Sequence, residues 1–421
     1  MPTLAVLHST MDPVGRIVLA LAIILTGAAA LGRLASRLGQ PAVLGELVAG
    51  IIIGNLGLLG ITGLGFISRE PVVAALAQIG ALILLFQVGL EATVNQMLKV
   101  GAVALAVALL GVTASFAFGW LVGLWLLPDA EPLARVFLGA ALCATSVGIT
   151  ARVLKDTGAA QRVEARIILG AAVIDDVLSL VILSVVAGVI GAADQGVGLG
   201  SGAAVMVVLK AALFLVGAIA VGRWTAARLF LLASRLRARG TLLITALAFC
   251  FALAWIAGLM GLAPIVGAFA AGLVLERSHA APFTRRGEKG IEDRLAPLGG
   301  LLIPVFFVLM GAHADLAALA RPGVIGLAAA LTAAAILGKQ ACALGARQSG
   351  ANRLAVAIGM IPRGEVQLIF ASMGVSLTVG GMPVISPSTY AALVVTVVVT
   401  TLITPPALTW ALGRGEPGRK S

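Results

Sequence analysis

The sequence predicts an all-α polytopic membrane protein of about thirteen transmembrane helices, from its composition and from the length and continuity of its apolar windows. Of 421 residues, 60% are hydrophobic and 11% are charged, whereas soluble domains average about 45–50% apolar and about 25% charged residues. Windows long enough to cross a bilayer recur along the whole chain. They are continuous rather than alternating in hydrophobicity, which excludes a β-barrel. The 52 glycines favour the close helix packing that is common in lipid.

The predicted spans follow the apolar windows in chain order. These windows are 14–36, 41–58, 73–94, 101–126, 134–155, 164–191, 203–232, 240–259, 263–277, 295–317, 321–346, 352–378 and 387–412. The window at 263–277 is short for a full crossing, which is typical of a tilted or partly re-entrant segment.

The Lys and Arg residues predict an orientation. With the N-terminus outside, the cytoplasmic loops, helix ends and C-terminus hold 22 of the 29 basic residues, and the opposite side holds four. Basic residues concentrate on the cytoplasmic side of membrane proteins, so we expect an external N-terminus and a cytoplasmic C-terminus. The net charge of +11 then needs no nucleic-acid partner, because no continuous basic face is present.

An internal repeat is visible at an offset of 222 residues. VLGELVAG at 43–50 aligns with IVGAFAAG at 265–272, and LFQVG at 85–89 aligns with FVLMG at 307–311. The copies lie an odd number of spans apart, so they face opposite ways across the membrane, as in the inverted repeats of secondary transporters. We expect one membrane-embedded unit over 1–421, with repeats at roughly 41–191 and 263–412 and no soluble domain.

Ionisable residues inside spans are costly and mark candidate functional sites. Those in this chain are Glu46, Asp175, Asp176, Lys210, Lys339, Arg363 and Glu365. Counted along a helix from the nearest cytoplasmic basic residue, Asp175, Lys339 and Arg363 lie about 12–15 Å deep. Thr145 and Ser146 lie about 10 Å deep. Four spans therefore bring polar groups into one layer near the middle of the membrane.

The adjacent Asp175 and Asp176 point about 100° apart on a helix, so they cannot face the same partner. One can pair with a cation such as Lys339, while the other faces an aqueous cavity and alternates between a proton and a metal cation. The alternative is a static pair of buried ion bridges.

Two spans carry helix-disrupting sequences at this depth. ATSVGIT at 144–150 places Ser, Gly and Thr near the middle of span 5, and GMIPRGEV at 359–366 places Pro and Gly in span 12. Broken helices expose helix ends and carbonyls that can line a cation path, although intact kinked helices are the alternative. Arg363 and Glu365 are expected to neutralise helix-end charges or to pair locally.

The remaining polar candidates carry weaker signals. Glu46 is expected at an interface between helices, Lys210 to extend toward the membrane surface, and His313 near an outer loop. The three Cys residues lack metal-ligand spacing, and we find no nucleophile–base arrangement. We therefore expect neither an enzyme nor a cofactor.

The segments ATSVGITARVL, ARIILGAAVIDDVLSLVIL, GLAPIVGAFAAGLVL, AILGK and GMIPRGEV occur in this order along the chain. Together they resemble the cation:proton antiporter superfamily, and in particular the double-aspartate bacterial sodium/proton antiporters of the NapA type. The resemblance extends from about residue 15 to residue 412.

The resemblance implies a homodimer in the bacterial inner membrane, with dimerisation and core helices interleaved in sequence. Its core domain contains two crossed discontinuous helices and moves by an elevator-type cycle. Asp176 is implied to be the ligand for Na⁺ and for the proton, and Asp175 its partner, paired with Lys339 when no cation is bound. Thr145 and Ser146 would lie at the first helix crossing. Gln367 is a departure, since the family often has a small residue there.

The implied activity is electrogenic exchange of Na⁺ or Li⁺ for protons, important for pH homeostasis. A K⁺/H⁺ antiporter is the main alternative. A passive cation channel or a sensor built on a transporter fold is less favoured, because a channel needs a continuous pore and no obligatory protonation step.

Overall fold

The computed structural model of the chain describes residues 12–91, 101–159, 161–194, 201–235, 240–260, 262–275, 283, 289–319 and 321–413. This part of the chain is almost wholly helical. A short antiparallel hairpin joins β1 (Thr378–Val379) and β2 (Met382–Pro383).

The first half of the chain forms eight α-helices within the described ranges. They are α1 (Pro13–Arg37), α2 (Ala42–Asn55), α3 (Pro71–Glu91), α4 (Ala102–Leu126), α5 (Pro132–Ala141), α6 (Val147–Asp156), α7 (Val163–Asp194) and α8 (Ser201–Arg235). Short 3-10 helices at Leu56–Leu59, Thr62–Leu64 and Ile67–Arg69 connect α2 to α3.

The second half continues in the same way. Its helices are α9 (Thr241–Leu259), α10 (Pro264–Val274), α11 (Ile291–Ala312), α12 (Leu316–Leu319), α13 (Val324–Gln340), α14 (Cys342–Gly345), α15 (Arg353–Gly359), α16 (Glu365–Ser376) and α17 (Pro387–Gly413).

Every predicted apolar window overlaps one of these helices, or a group of shorter ones. Among the described residues, eight helices are long and apolar enough to cross a membrane by length and composition, and four shorter apolar helices accompany them. The windows at 134–155 and 352–378 each correspond to two short helices separated by an interruption. The helical membrane fold is confirmed, while the count of thirteen spans stays a prediction.

Helix α11 begins earlier than its window, at Ile291 rather than 295. The window excluded Glu292 and Asp293 because they are charged. Both lie in the first turn of α11, where carboxylates interact favourably with the positive end of the helix dipole.

Glycines bring α2 against α11, and α3 against α10, at backbone contact distance. A Cβ on Gly50 would overlap the carbonyl of Val308, and a Cβ on Gly272 would overlap the carbonyl of Phe86. Adding the offset of 222 to Gly50 gives Gly272, and subtracting it from Val308 gives Phe86. The second contact is therefore the first one with the two repeats exchanged. The same relation connects two further contacts, Gly311 with Leu47 and Gly89 with Phe269. These paired contacts support the predicted repeat.

Candidate functional site

The two interrupted spans lie against each other. In the first, α5 ends at Ala141 and α6 starts at Val147. In the second, α15 ends at Gly359 and α16 starts at Glu365. Pro362 cannot donate a helical hydrogen bond, which accounts for the second interruption.

Backbone and hydroxyl groups of one interruption bond to the other. The Ser146 amide donates to the Pro362 carbonyl at 2.8 Å, and the Thr150 hydroxyl donates to the Gly359 carbonyl at 2.6 Å. A Cβ on Gly364 would overlap the Ser146 side chain, so only glycine permits this approach. Polar groups released by the broken helices are thus paired inside the protein, as a lipid-embedded backbone requires.

Arg363 is completely buried at the junction of these interruptions. Its Nη1 donates to the carbonyls of Cys143, at 3.0 Å, and of Ala144. Its Nη2 donates to the Ser115 hydroxyl and to the Ala335 carbonyl, both at 3.3 Å. Carbonyls that follow a helix C-terminus carry partial negative charge, so a guanidinium here can neutralise the end of α5. Neutralisation of helix-end charge by Arg363 stays a prediction.

Asp175 and Lys339 form a fully buried ion pair. Lys339 Nζ on α13 lies 2.6 Å from Asp175 Oδ1 on α7, and both side chains are 0% exposed. Gly111 on α4 packs beside this pair, and a Cβ there would overlap Cys342 Sγ, at 2.6 Å, while touching the lysine side chain at ordinary contact distance. Asp175 Oδ2 has no hydrogen-bond partner among the described residues. The two residues expected to pair are therefore in contact.

Asp176 is buried but retains 6% exposure, in contrast to the completely buried Asp175. It follows Asp175 on α7 and so points to a different side of that helix. Thr145 and Ser146 are also buried, and the Thr145 hydroxyl lies 3.5 Å from the Met360 carbonyl. The four residues of the predicted binding set thus belong to two neighbouring elements, α7 and the first interruption.

A cavity of about 200 Å³ reaches the two interruptions. Its walls come from Pro41 and Leu44 at the start of α2, from Phe307 of α11, and from Ser146 and Gly364 at the interruptions. The walls near α2 and α11 are apolar, so the polar groups of the cavity are concentrated where the interrupted helices meet.

The other ionisable candidates lie apart from this junction or outside the description. Glu46 is half-buried on α2 and packs against Gly32 of α1, as expected for an interhelical residue. His313 Nε2 lies 3.2 Å from the Ser68 carbonyl at the surface. The side chains of Lys210 and Glu365 lie outside the described part of the structure.

Sequence reasoning missed several uncharged members of the junction. Ser115 bonds Arg363, and the Thr401 hydroxyl donates to the Arg363 carbonyl at 2.8 Å. Ser179 and Gln367 are both completely buried. Isolated hydroxyl and amide residues are tolerated throughout membrane helices, so they carry little signal in a single sequence. Gln367 stands out in the sequence only as a departure from the family pattern.

A protein-family model described as "Sodium/hydrogen exchanger, transmembrane" matches residues 20–413. The chain is 34% identical to the high-affinity Na⁺/H⁺ antiporter NhaS3 of Synechocystis, covering 90% of this chain and 86% of that protein. It is also 34% identical to the Na⁺/H⁺-K⁺ antiporter GerN of Bacillus cereus, covering 95% and 97% respectively.

A solved structure has a similar fold. The sodium/proton antiporter MjNhaP1 of Methanocaldococcus jannaschii, at pH 8, superposes with a TM-score of 0.70 over 95% of this chain and 98% of that chain. The two sequences are 17% identical, so this likeness concerns the fold alone.

Proposed function

The chain belongs to the sodium/hydrogen exchanger family, and from this membership and the junction geometry we propose that it exchanges Na⁺ or Li⁺ for protons, with Asp176 as the shared binding group. It is a membrane transporter of an antiporter family rather than an enzyme. The observation that carries the proposal is the buried Asp175–Lys339 pair beside a second aspartate, where two interrupted helices meet.

The division of roles between the two aspartates follows from their surroundings. Asp175 is held by Lys339, whereas Asp176 retains some exposure and stands next along α7. A carboxylate binds either one proton or one hard cation through the same oxygens, so occupancy by one displaces the other. Thr145 and Ser146 supply neutral oxygens near this carboxylate. Competition at Asp176 couples the two fluxes in opposite directions.

K⁺ is the second candidate cation. One relative that shares the full length of this chain is named a Na⁺/H⁺-K⁺ antiporter. Selectivity among monovalent cations depends on the number and arrangement of oxygen ligands, and these are the features in which close relatives can differ.

The transport cycle is proposed to be of the elevator type, with the junction moving as a unit between the two sides of the membrane. The hydrogen bonds from the Ser146 amide and the Thr150 hydroxyl to carbonyls of the other interruption support movement of both spans as one body. We further propose a homodimer in the bacterial inner membrane, with its N-terminus outside. Lys339 makes the exchange electrogenic if it releases its own proton when Asp175 turns to the cation.

The test uses purified protein in liposomes with an imposed proton gradient and a pH-sensitive dye inside. Addition of Na⁺ or Li⁺ is expected to dissipate the gradient, and Asp176→Asn is expected to abolish this response. The matched control is Asp194→Asn at the end of the same helix, where the carboxylate accepts a hydrogen bond from Thr378.

Normal exchange by Asp176→Asn would contradict the assignment of the binding group. Absence of a response of the unmodified protein to Na⁺, Li⁺ and K⁺, from mildly acidic to alkaline pH, would contradict the antiporter itself. A gradient that collapses equally with and without an added cation would indicate a proton leak rather than coupled exchange.

A further inference from the structure

Gln367 on α16 is a buried amide without a visible structural purpose. Its side chain is 0% exposed, and neither Oε1 nor Nε2 has a hydrogen-bond partner among the residues that the structure describes. Burial of an amide without partners is costly, and almost all buried polar groups in native proteins are paired. An amide in this condition therefore points to a ligand that binds during function.

The face of α16 that carries Gln367 is directed at the first interrupted span. Gly364 precedes Gln367 by three residues, and a Cβ on it would meet the Ser146 side chain. Gly374 follows by seven residues, close to two turns, and a Cβ on it would overlap both the Ile385 side chain, which precedes α17, and the Phe137 ring of α5. Gln367 lies between these two contacts along the helix, beside the segment that ends α5 and includes Thr145.

Ser179 on α7 is a second buried polar side chain without a partner among the described residues. Buried Ser and Thr hydroxyls in helices usually donate to the carbonyl four residues earlier, as Ser184 does to Leu180 at 2.6 Å. Ser179 makes no such bond. Because it follows Asp175 by four residues and Asp176 by three, its direction falls between those of the two carboxylates, one turn further along α7.

Ser179 and Gln367 are displaced from the junction toward the same end of the structure. The C-terminal end of α7 is tied to the segment following α16 by a hydrogen bond from Thr378 Oγ1 to Asp194 Oδ2, at 2.9 Å. Both helices therefore run from the junction to a common level. Ser179 lies three residues beyond Asp176, about 4.5 Å along α7, and Gln367 lies two residues beyond Glu365 at the start of α16, about 3 Å along that helix.

We propose that the Gln367 amide oxygen and the Ser179 hydroxyl form a neutral subsite, on the Asp194 side of Asp176, that ligates the transported monovalent cation and sets the preference among Na⁺, Li⁺ and K⁺. This inference rests on the proposed antiport function. A dehydrated cation needs several oxygen ligands, of which one carboxylate supplies at most two. Neutral oxygens replace the remaining hydration shell without adding charge, and their number and spacing determine which ion fits.

The test compares Gln367→Met with the unmodified protein in the liposome assay. Met has nearly the same length and volume but no amide, so packing is retained. We expect the apparent KM for the preferred cation to rise about tenfold, equivalent to ~1.4 kcal/mol, and the Na⁺ to K⁺ preference to change. The thermal midpoint should stay equal or rise, because two unpartnered polar atoms are removed.

Ser179→Ala provides the second variant, with a smaller expected change of about threefold in KM and no loss of thermal stability. Ile369→Met on the same helix is the matched control, since it introduces the same side chain without removing a polar atom.

Unaltered KM values and cation preference in Gln367→Met would overturn the subsite, as would a lowered thermal midpoint with unchanged preference. If the unmodified protein exchanges cations and Gln367→Met matches it, the subsite alone fails; if the unmodified protein exchanges none, the antiport proposal fails with it.

Discussion

Replacing Lys339 by Met should destabilise the protein by leaving a buried carboxylate without its counter-charge. Breaking a buried ion pair by removing one partner costs about 3–5 kcal/mol. Here both partners are 0% exposed at 2.6 Å, and the second oxygen of Asp175 has no partner among the described residues. Arg363 donates to the Ala335 carbonyl, one turn before Lys339 on α13, so a second cation lies near the pair and we expect the lower end of the range, about 3 kcal/mol.

The measurement is the apparent thermal midpoint in detergent at a fixed heating rate, because unfolding of a large membrane protein is governed by rate as well as equilibrium. For a chain of this size, about 3 kcal/mol corresponds to a decrease of roughly 3–6 °C. Arg321→Gln, at an exposed cation shortly before α13, should change the midpoint by less than about 1 °C.

The double variant Asp175→Leu/Lys339→Met separates lost charge compensation from lost packing. Replacing both partners of a buried pair by apolar residues is often neutral or stabilising, so the double variant should regain most of the stability that Lys339→Met loses. A midpoint of Lys339→Met equal to that of the unmodified protein would refute the energetic importance of the pair. A double variant as unstable as the single one would show that packing around Lys339, not its charge, causes the loss.

Two further predictions concern the scaffold. Gly272→Ala should lower the thermal midpoint markedly, because the added methyl group overlaps the Phe86 carbonyl. Its control is Gly326→Ala, where the new methyl group meets no atom within 4 Å. This control should be neutral or stabilising by up to ~1 kcal/mol. Equal effects of the two variants would contradict the close approach of α10 to α3. Arg363→Lys should destabilise by about 2–3 kcal/mol in the same measurement, because an ammonium cannot reproduce the fork that bonds four acceptors. An unchanged midpoint would mean that the charge alone stabilises the junction.

The main features of this fold could be read from the sequence because lipid restricts the alternatives. A span must be continuous and apolar, so its position is visible from composition, and a charge within it stands out. Asp175 and Lys339 could be matched because each lies at a similar depth from a cytoplasmic basic residue. The same reasoning located both interruptions, since Pro362 and the polar residues at 144–150 cannot continue a regular apolar helix without compensation.

The uncharged contacts could not be predicted in this way. Which carbonyls Arg363 would bond depends on how α4, α13 and the first interruption converge in space, and helical depth gives no information about rotation or lateral position. Ser115 and Thr401 look like ordinary hydroxyl residues in apolar helices. The first turn of α11 lies outside the apolar window at 295–317, because a hydropathy window ends at a charge, whereas a helix does not.

Two buried cations at the junction, Arg363 and Lys339, have different kinds of partner. Arg363 is bonded to carbonyls and a hydroxyl, so the end of a helix dipole balances its charge. Lys339 is instead balanced by one carboxylate, so any ligand that draws Asp175 away leaves the lysine without a counter-charge. In the proposed exchange, this pair is therefore the one that a bound cation can rearrange. Arg363 is thus held by carbonyls at a helix end, which stabilise the scaffold. Lys339 is held by a carboxylate, which the proposed exchange can disturb.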